Sequence, residues 1–438
     1  MKNNHNNYFK IYYYKFLKNY YLIFTEIPSV VAIDEEFYNF LKINKIKNAV
    51  DILTHELSSE EYRSNISNFI EEFKKSDYLK NEEKFQDYCD NFEKHFDVKG
   101  IWLGLTHNCN MDCEYCFEKS GARKTPSDMT IDTAKKAIDF LVKNSKNKNI
   151  SVILFGGEPL LKFDLIKEIV KYCEKKEKEV EKKFLLSFTT NAILLDKEKF
   201  DYFKSKNIGI LISFDGNDSM NCYRKLKNGD KSFPIIMKNL KEINTANMAF
   251  RATLTDKNLD IPKVSNFFKD ELSSSNYFLS ECSYNSFLDN SSVKKLKKIY
   301  IDMIEHRKFA ELPQNFKIMI QNVKNGVKRN FGCLTGINYF YFTPDENIYP
   351  CARVINQEQE IKFGNLKYEL HIKNVKDFFN LMLVKNSNCK KCWAKYFCGG
   401  GCYGEKIEIN NSYVKPVKQF CQLNRFKLKL IMSTIEKW

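Results

Sequence analysis

The run His107-Asn-Cys-Asn-Met-Asp-Cys-Glu-Tyr-Cys-Phe117 puts Cys109, Cys113 and Cys116 on one short loop, in the spacing C-x3-C-x2-C. A cubic [4Fe-4S] cluster takes one ligand at each of four irons, and ferredoxin-type runs supply four cysteines in all. Three local thiolates with no nearby fourth leave one iron open, and an open iron can hold a substrate. A structural zinc loop, or a cluster closed by a distant cysteine, is the plainer alternative.

Further polar residues gather after other apolar runs. An open iron needs a bidentate ligand carrying an amine and a carboxylate, and S-adenosylmethionine (SAM) offers both. Within Gly156-Gly157-Glu158-Pro159, Glu158 can bond such an amine, and the two glycines let backbone approach closely. Asn191 and Ser213 can bond the ribose or the carboxylate, with capping or turn roles equally open. Asp215 carries the same turn alternative. Arg224 or Arg251 can neutralise the carboxylate, or serve as structural charges.

The elements that must position these residues alternate between short apolar runs and amphipathic stretches from Gly100 to about Ser283. Strands are predicted at Ile101–Leu105, Ser151–Phe155, Phe184–Phe188, Ile208–Ser213, Ala249–Leu254 and Tyr277–Ser280. Between them, Ile131, Ala134, Ile138 and Leu141 share one helical face behind Thr130 as cap, and Ile166, Ile169, Val170 and Cys173 share another. Strand–helix alternation implies right-handed crossovers and a parallel sheet, here an α/β fold with a partial (β/α)6 TIM-type barrel over residues 100–304. Such barrels carry chemistry on the loops after the strands. The cysteine loop, the GGEP tetrapeptide, Asn191 and Asp215 follow the first four strands in turn.

Outside the barrel the pattern changes. Residues 1–76 read as three strands (Lys10–Phe16, Tyr20–Phe24, Val30–Ile33) and three helices (Glu35–Leu41, Lys47–Glu56, Glu60–Phe73), a winged-helix-like module. A linker helix at 77–99 and a bridging region at 305–332 flank the barrel. Residues 333–438 hold Cys333, Cys351, Cys389, Cys392, Cys398, Cys402 and Cys421.

Fourteen cysteines in 438 residues, with no secretory signal and no spanning apolar run, fit metal-bound thiolates in a reducing cytoplasm better than a disulfide framework. The net charge of +15 can attract acidic partners, but Lys, Asn and Ile are abundant throughout, so it carries little weight. Cys89, Cys173, Cys222 and Cys282 fit as small hydrophobes, any one of them available to complete a cluster.

The cysteine loop followed by GGEP resembles the radical SAM enzymes. That resemblance implies reductive cleavage of SAM to methionine and a 5′-deoxyadenosyl radical, which abstracts hydrogen from an unactivated carbon. It also implies that Tyr115 packs on the adenine. The tail resembles the SPASM extension, C-x2-C-x5-C-x3-C with a distal cysteine, in Cys389, Cys392, Cys398, Cys402 and Cys421. By that analogy Cys389, Cys392, Cys398 and Cys421 hold an outer [4Fe-4S] cluster and Cys333, Cys351 and Cys402 an inner one, giving three clusters. Tyr339 stands where sulfatase-maturating relatives have the inner fourth cysteine, and Ala352 stands where they have an Asp base. These departures leave another iron open and argue against formylglycine chemistry.

The N-terminal module then resembles a peptide recognition element, in which a leader peptide adds a strand to the small sheet. Together these resemblances imply a maturase of a ribosomally made peptide that forms thioether links, of sactipeptide or ranthipeptide type. It would be served by a flavodoxin- or ferredoxin-type electron donor, with no membrane or nucleic-acid partner. Carbon–carbon crosslinking or epimerisation by the same chemistry is the alternative. A non-enzymatic iron–sulfur regulator using the winged module on DNA is the alternative of another class.

Overall fold

The computed structural model describes residues 8–437 apart from 120, 126, 247, 285 and 359. The first seven residues of the N-terminal module lie outside that set. An antiparallel meander opens the chain: β1 (Ile11–Phe16), β2 (Asn19–Phe24) and β3 (Ser29–Ile33), in that order across the sheet. Three helices follow, α1 (Glu35–Ile43), α2 (Ala49–Thr54) and α3 (Glu60–Lys75). Asp34, Asn48 and Ser59 accept backbone N–H bonds at their starts, which satisfies donors that a helix leaves unpaired.

Strand alternation divides the meander's side chains between two faces. Ile11, Leu22 and Phe24 pack on Phe37, Leu41 and Ile66 of the module's own helices. The opposite face carries Tyr12, Tyr14, Phe16, Tyr21 and Ile23, which join the main core of the protein. There Tyr12 stacks on Trp393 with ring centroids 5.3 Å apart and planes 5° from parallel. Phe16 meets Phe426 edge-on, and the Lys429 ammonium sits 4.3 Å from the centre of the Tyr14 ring. The module is therefore fixed to the tail through one whole sheet face. Trp393→Ala should cost about 3–5 kcal/mol, as other truncations of buried aromatics do, and should open residues 8–76 to limited proteolysis. An unchanged melting temperature and cleavage pattern would refute this account of the contact.

Helices α4 (Tyr78–Asp90) and α5 (Phe92–His95) lead into β4 (Gly100–Thr106). Five further strands run parallel to it: β5 (Asn149–Gly156), β6 (Lys183–Thr190), β7 (Gly209–Ser213), β8 (Ala249–Leu254) and β9 (Tyr277–Glu281). Their order in the sheet is their order in the chain. Helices α6 (Ile131–Asn144), α7 (Phe163–Glu179), α8 (Lys197–Ser205), α9 (Phe233–Lys241) and α10 (Ile261–Asn266) fill the crossovers, and α11 (Asn290–His306) follows β9. Thr130 caps α6 through the Thr133 N–H at 3.1 Å.

After α12 (Gln314–Lys324) the chain returns to the same sheet. Strand β10 (Tyr339–Phe342) pairs parallel to β4, and β11 (Asn347–Tyr349), β12 (Gly364–Asn365) and β13 (Glu369–Leu370) extend it antiparallel. The result is one ten-stranded sheet, β13-β12-β11-β10-β4 through β9. The tail is thus continuous with the barrel, because Phe340, Tyr341 and Phe342 are buried on both faces and complete the core beside β4. Helices α13 (Ile372–Met382), α14 (Lys395–Cys398), α15 (Tyr403–Asn410) and α16 (Lys418–Ser433) close the fold. No helix among the described residues is long and apolar enough to cross a membrane.

Candidate active site

The loops after β4, β5, β6 and β7 meet at the carboxyl end of the barrel. Gly157 N–H donates to the Thr106 carbonyl at 2.9 Å, and Glu158 N–H donates to the Asn108 carbonyl at 2.9 Å. The GGEP turn is thereby pinned under the cysteine loop. Both glycines are required by that contact. A Cβ on Gly156, where φ is +133°, would stand 2.2 Å from the Thr106 oxygen, and one on Gly157 would stand 2.2 Å from the Asn108 oxygen. What the two glycines approach is the backbone of the cysteine loop.

Glu158 is fully buried. Its carboxylate accepts from Leu160 N–H at 3.0 Å, Thr190 Oγ1–H at 2.8 Å and Asn191 N–H at 2.8 Å. These bonds give Glu158 a structural role beside the expected bond to a ligand amine. A buried carboxylate needs hydrogen-bond partners, and here the chain supplies three, so that Glu158 braces the β5 and β6 loops together. Burial nevertheless raises its pKa from 4.5 to about 6. The folded state therefore binds the proton more tightly than the unfolded chain. The group's stabilising contribution is complete below pH 4.5 and is lost as pH rises through about 6, a change of about 2 kcal/mol. Glu158→Gln, which cannot ionise, should flatten the fall in unfolding free energy across that window. Denaturant titrations at pH 4.5 and 6.5 check this, and an identical slope in the variant would refute it.

Asp215 is likewise closed off. One carboxylate oxygen accepts from Thr253 N–H at 2.9 Å and the other from the Tyr115 hydroxyl. The Tyr115 oxygen also accepts from Arg224 Nη1 at 3.2 Å, so Asp215, Tyr115 and Arg224 form one buried chain of bonds. Burial raises the Asp215 pKa, and the Arg224 charge opposes the rise. Tyr115, expected to lie on an adenine, is thus anchored at its hydroxyl by Asp215. Asn191 donates from Nδ2 to the Asn110 side-chain oxygen at 2.8 Å, with Cys109 Sγ 3.7 Å away. Ser213 ends β7 opposite Arg251 in the strand register, and Pro159 begins a short 3-10 turn capped by Glu158.

Cys109, Cys113 and Cys116 lie close enough to raise one another's pKa in sequence, Cys113 acting on Cys109 and Cys116 on Cys113. Burial is the larger cause and pushes Cys109 up to about 12 and Cys113 to about 11. Met111 N–H points at the Cys109 sulfur at 3.4 Å, and Arg123 bonds Cys116. Among the described residues no three His, Cys, Asp or Glu side chains converge on a point that would hold a single metal ion. A cubane differs in that each thiolate binds its own iron. Nearby, Arg224 Nε and Asn110 Nδ2 are buried donors with no partner among the described residues. Clustered thiols beside orphaned donors fit a cluster with a carboxylate-bearing cofactor.

The tail cysteines fall into two neighbourhoods. Cys398 and Cys421 each feel Cys389 and Cys392, whereas Cys351 feels Cys402 and Cys333. Arg353 stands over the second group. It pairs with Glu405 at 3.0 Å and Glu408 at 3.1 Å, approaches Cys402 Sγ to 4.0 Å, and covers the Phe117 ring at 4.7 Å. Sequence reasoning missed Arg353, Arg123 and Glu405, since nothing in their local spacing marks them. Cys282 lines the cavity and feels Arg353 and Glu405, whereas Cys222 lies beside the cysteine loop, where Tyr223 accepts from Glu114 N–H at 2.9 Å. A cavity of about 570 Å³ runs from Arg251 and Leu211 in the barrel past β9 to Cys333, Cys398 and Cys402.

Residues 103–255 match the family model described as the Radical SAM superfamily. This segment is similar to radical SAM domains. Across most of its length the chain is also 22% identical to the radical SAM cyclopropyl synthase TigE of Paramaledivibacter caminithermalis, over 92% of this chain and 90% of that protein. The fold is similar to that of anSMEcpe solved with bound AdoMet, with TM-score 0.63 and 18% identity over 77% of this chain and 98% of that one. It is similar also to Streptococcus suis SuiB solved with precursor peptide SuiA, with TM-score 0.52 and 18% identity over 94% and 99% of the two chains. The similarity to radical SAM domains accounts for the three cysteines on the β4 loop and supports an enzyme that uses SAM and a [4Fe-4S] cluster.

Proposed function

We propose that this protein is a radical SAM maturase of a ribosomally made peptide, and that it forms thioether links from a cysteine sulfur to a carbon. The observation that carries this reading is the cavity that runs from Leu211 and Arg251 on the parallel strands to Cys333 and Cys402. It would place a bound residue between the radical source and a set of three thiolates with room for a fourth ligand. Bound SAM and its cluster supply a hydrogen-abstracting radical. The chain's own residues do the rest. Cys109, Cys113 and Cys116 would hold the SAM cluster, with Arg224 and Asn191 set toward the cofactor, while the Tyr115–Asp215 bond orients that wall. Cys389, Cys392, Cys398 and Cys421 would hold an outer cluster and Cys333, Cys351 and Cys402 an inner one, from which a flavodoxin- or ferredoxin-type carrier exchanges electrons.

The leader would add to the free edge of β3, where Val31 is 41% exposed and the backbone has no strand partner among the described residues. The peptide-bound SuiB structure supports a peptide substrate for this fold. TigE's name favours carbon–carbon bond formation as the second reading.

Reduced, reconstituted protein should release 5′-deoxyadenosine from SAM. Co-expression with its precursor peptide should remove two hydrogens per link, and blocking peptide cysteines should prevent the loss. Modification that survives cysteine blocking would move the assignment to carbon–carbon chemistry. Absence of SAM cleavage would end the whole reading.

A further inference from the structure

Arg251 is a cation of the parallel strands with no role in the cofactor site proposed above. It lies on β8 opposite Ser213, and its side chain reaches the wall of the cavity described above. Its side chain is exposed, and the space it faces includes that cavity. No carboxylate among the described residues forms an ion pair with it, whereas Arg353 is paired with Glu405 and Glu408 and Arg224 is bonded to Tyr115. Arg353, Cys402 and Glu405 of the tail act on the charge of Arg251, and Tyr115 does so more weakly. Burial and the like charge of Arg353 lower its pKa.

A guanidinium on a cavity wall with no ion pair in the chain is free to take a counterion from a ligand. Its planar fork fits a carboxylate with two parallel bonds. On the proposed reading the carboxylate of SAM falls to other donors, the unpartnered Arg224 Nε and Asn110 Nδ2 near Cys113 and Cys109.

We infer that Arg251 forms an anion subsite for a carboxylate of the peptide substrate, placing an acidic residue or the peptide's C-terminus between the cofactor face and Cys402. This rests on the peptide reading of the cavity and names the substrate chemistry it selects. The site would fix which residue meets the radical, because the one held by Arg251 sets the register of its neighbours.

The test uses the full chain, anaerobically reconstituted and saturated with SAM, in equilibrium binding with three capped tripeptides. Acetyl-Ala-Glu-Ala-amide carries a side-chain carboxylate, acetyl-Ala-Ala-Ala carries a C-terminal one, and acetyl-Ala-Gln-Ala-amide carries none. At least one acidic probe should bind about tenfold more tightly than the neutral probe, and the better of the two identifies the source. Arg251→Gln should erase the difference, Arg251→Lys should retain part of it, and both variants should keep the wild-type affinity for SAM. Equal binding of all three probes by the wild type, or a preference that survives in Arg251→Gln, overturns the inference. A variant that loses SAM affinity in step with probe binding overturns it too, by placing Arg251 in the cofactor site. Release of 5′-deoxyadenosine, scored separately on the same samples, reports on the enzyme reading alone.

Discussion

Alanine at Cys113 should abolish SAM cleavage, with 5′-deoxyadenosine falling to background. The same holds for Cys109 and Cys116. Each thiolate on the β4 loop would hold a separate iron, and a cubane has no spare protein ligand to lose. Cys113 sits between the other two electrostatically and beside Arg224, so its removal takes away the middle of the set. Iron should fall by about four atoms per chain, while the tail cysteines, in their own two neighbourhoods, keep theirs. The paired measurement is iron content with electron paramagnetic resonance of the reduced protein, with and without SAM. Wild type should change its spectrum on SAM addition, and Cys113→Ala should not. Cys392→Ala should behave in the opposite way, losing iron while the SAM-responsive signal persists. A Cys113→Ala variant that still answers to SAM would show that the vacant coordination site lies elsewhere.

The parts legible in the sequence are those with a local physical signature. The six parallel strands carry apolar runs bounded by helices with clear faces, and Ala249–Leu254 ends where its run of residues does. Thr130 was readable as a cap because a hydroxyl just before an amphipathic stretch has one common use. The cysteine spacings needed no structure to point to clusters. What stayed hidden depends on contacts between distant residues. Strand β10 is only four residues, and β12 and β13 are two each, too short for any period to register. The Tyr12–Trp393 stack and the Arg353–Glu405 pair join segments that no window of sequence brings together.

Glu158 and Asp215 show a different limit. A conspicuous carboxylate in a turn reads as a ligand contact, yet whether it faces a cavity or its own backbone is decided by burial. Each accepts a backbone bond, from the N–H groups of Asn191 and Thr253 respectively, and a hydroxyl bond, from Thr190 and Tyr115. Their effect on chemistry passes through what they hold still: the GGEP loop in one case and the Tyr115 ring in the other.

That positioning role leads to the second large effect, Gly157→Ala. The added methyl would meet the Asn108 oxygen at 2.2 Å and the Asn108 carbonyl carbon at 2.6 Å, and both are backbone atoms that cannot swing aside. Ordinary contact lies near 3.4 Å or beyond, so relief requires the cysteine loop and the GGEP loop to part by about 1 Å. The bonds joining them, from Gly157 N–H to Thr106 and from Glu158 N–H to Asn108, would stretch with that movement. Misplacement of a reacting group by about 1 Å costs on the order of 10²-fold in rate, and Gly157→Ala should lose at least that much SAM cleavage. The cysteines are untouched, so iron content should stay near wild type, which separates this loss from that of Cys113→Ala. Gly229→Ala provides the control. Its φ of +88° makes a side chain unfavourable, but nothing lies within 4 Å of the added methyl. It should therefore cost roughly 1 kcal/mol of stability through the backbone alone and leave turnover intact. Equal losses in the two variants would mean that backbone strain anywhere in the barrel slows the reaction. A larger loss in Gly157→Ala assigns the rate to the fit between the two loops.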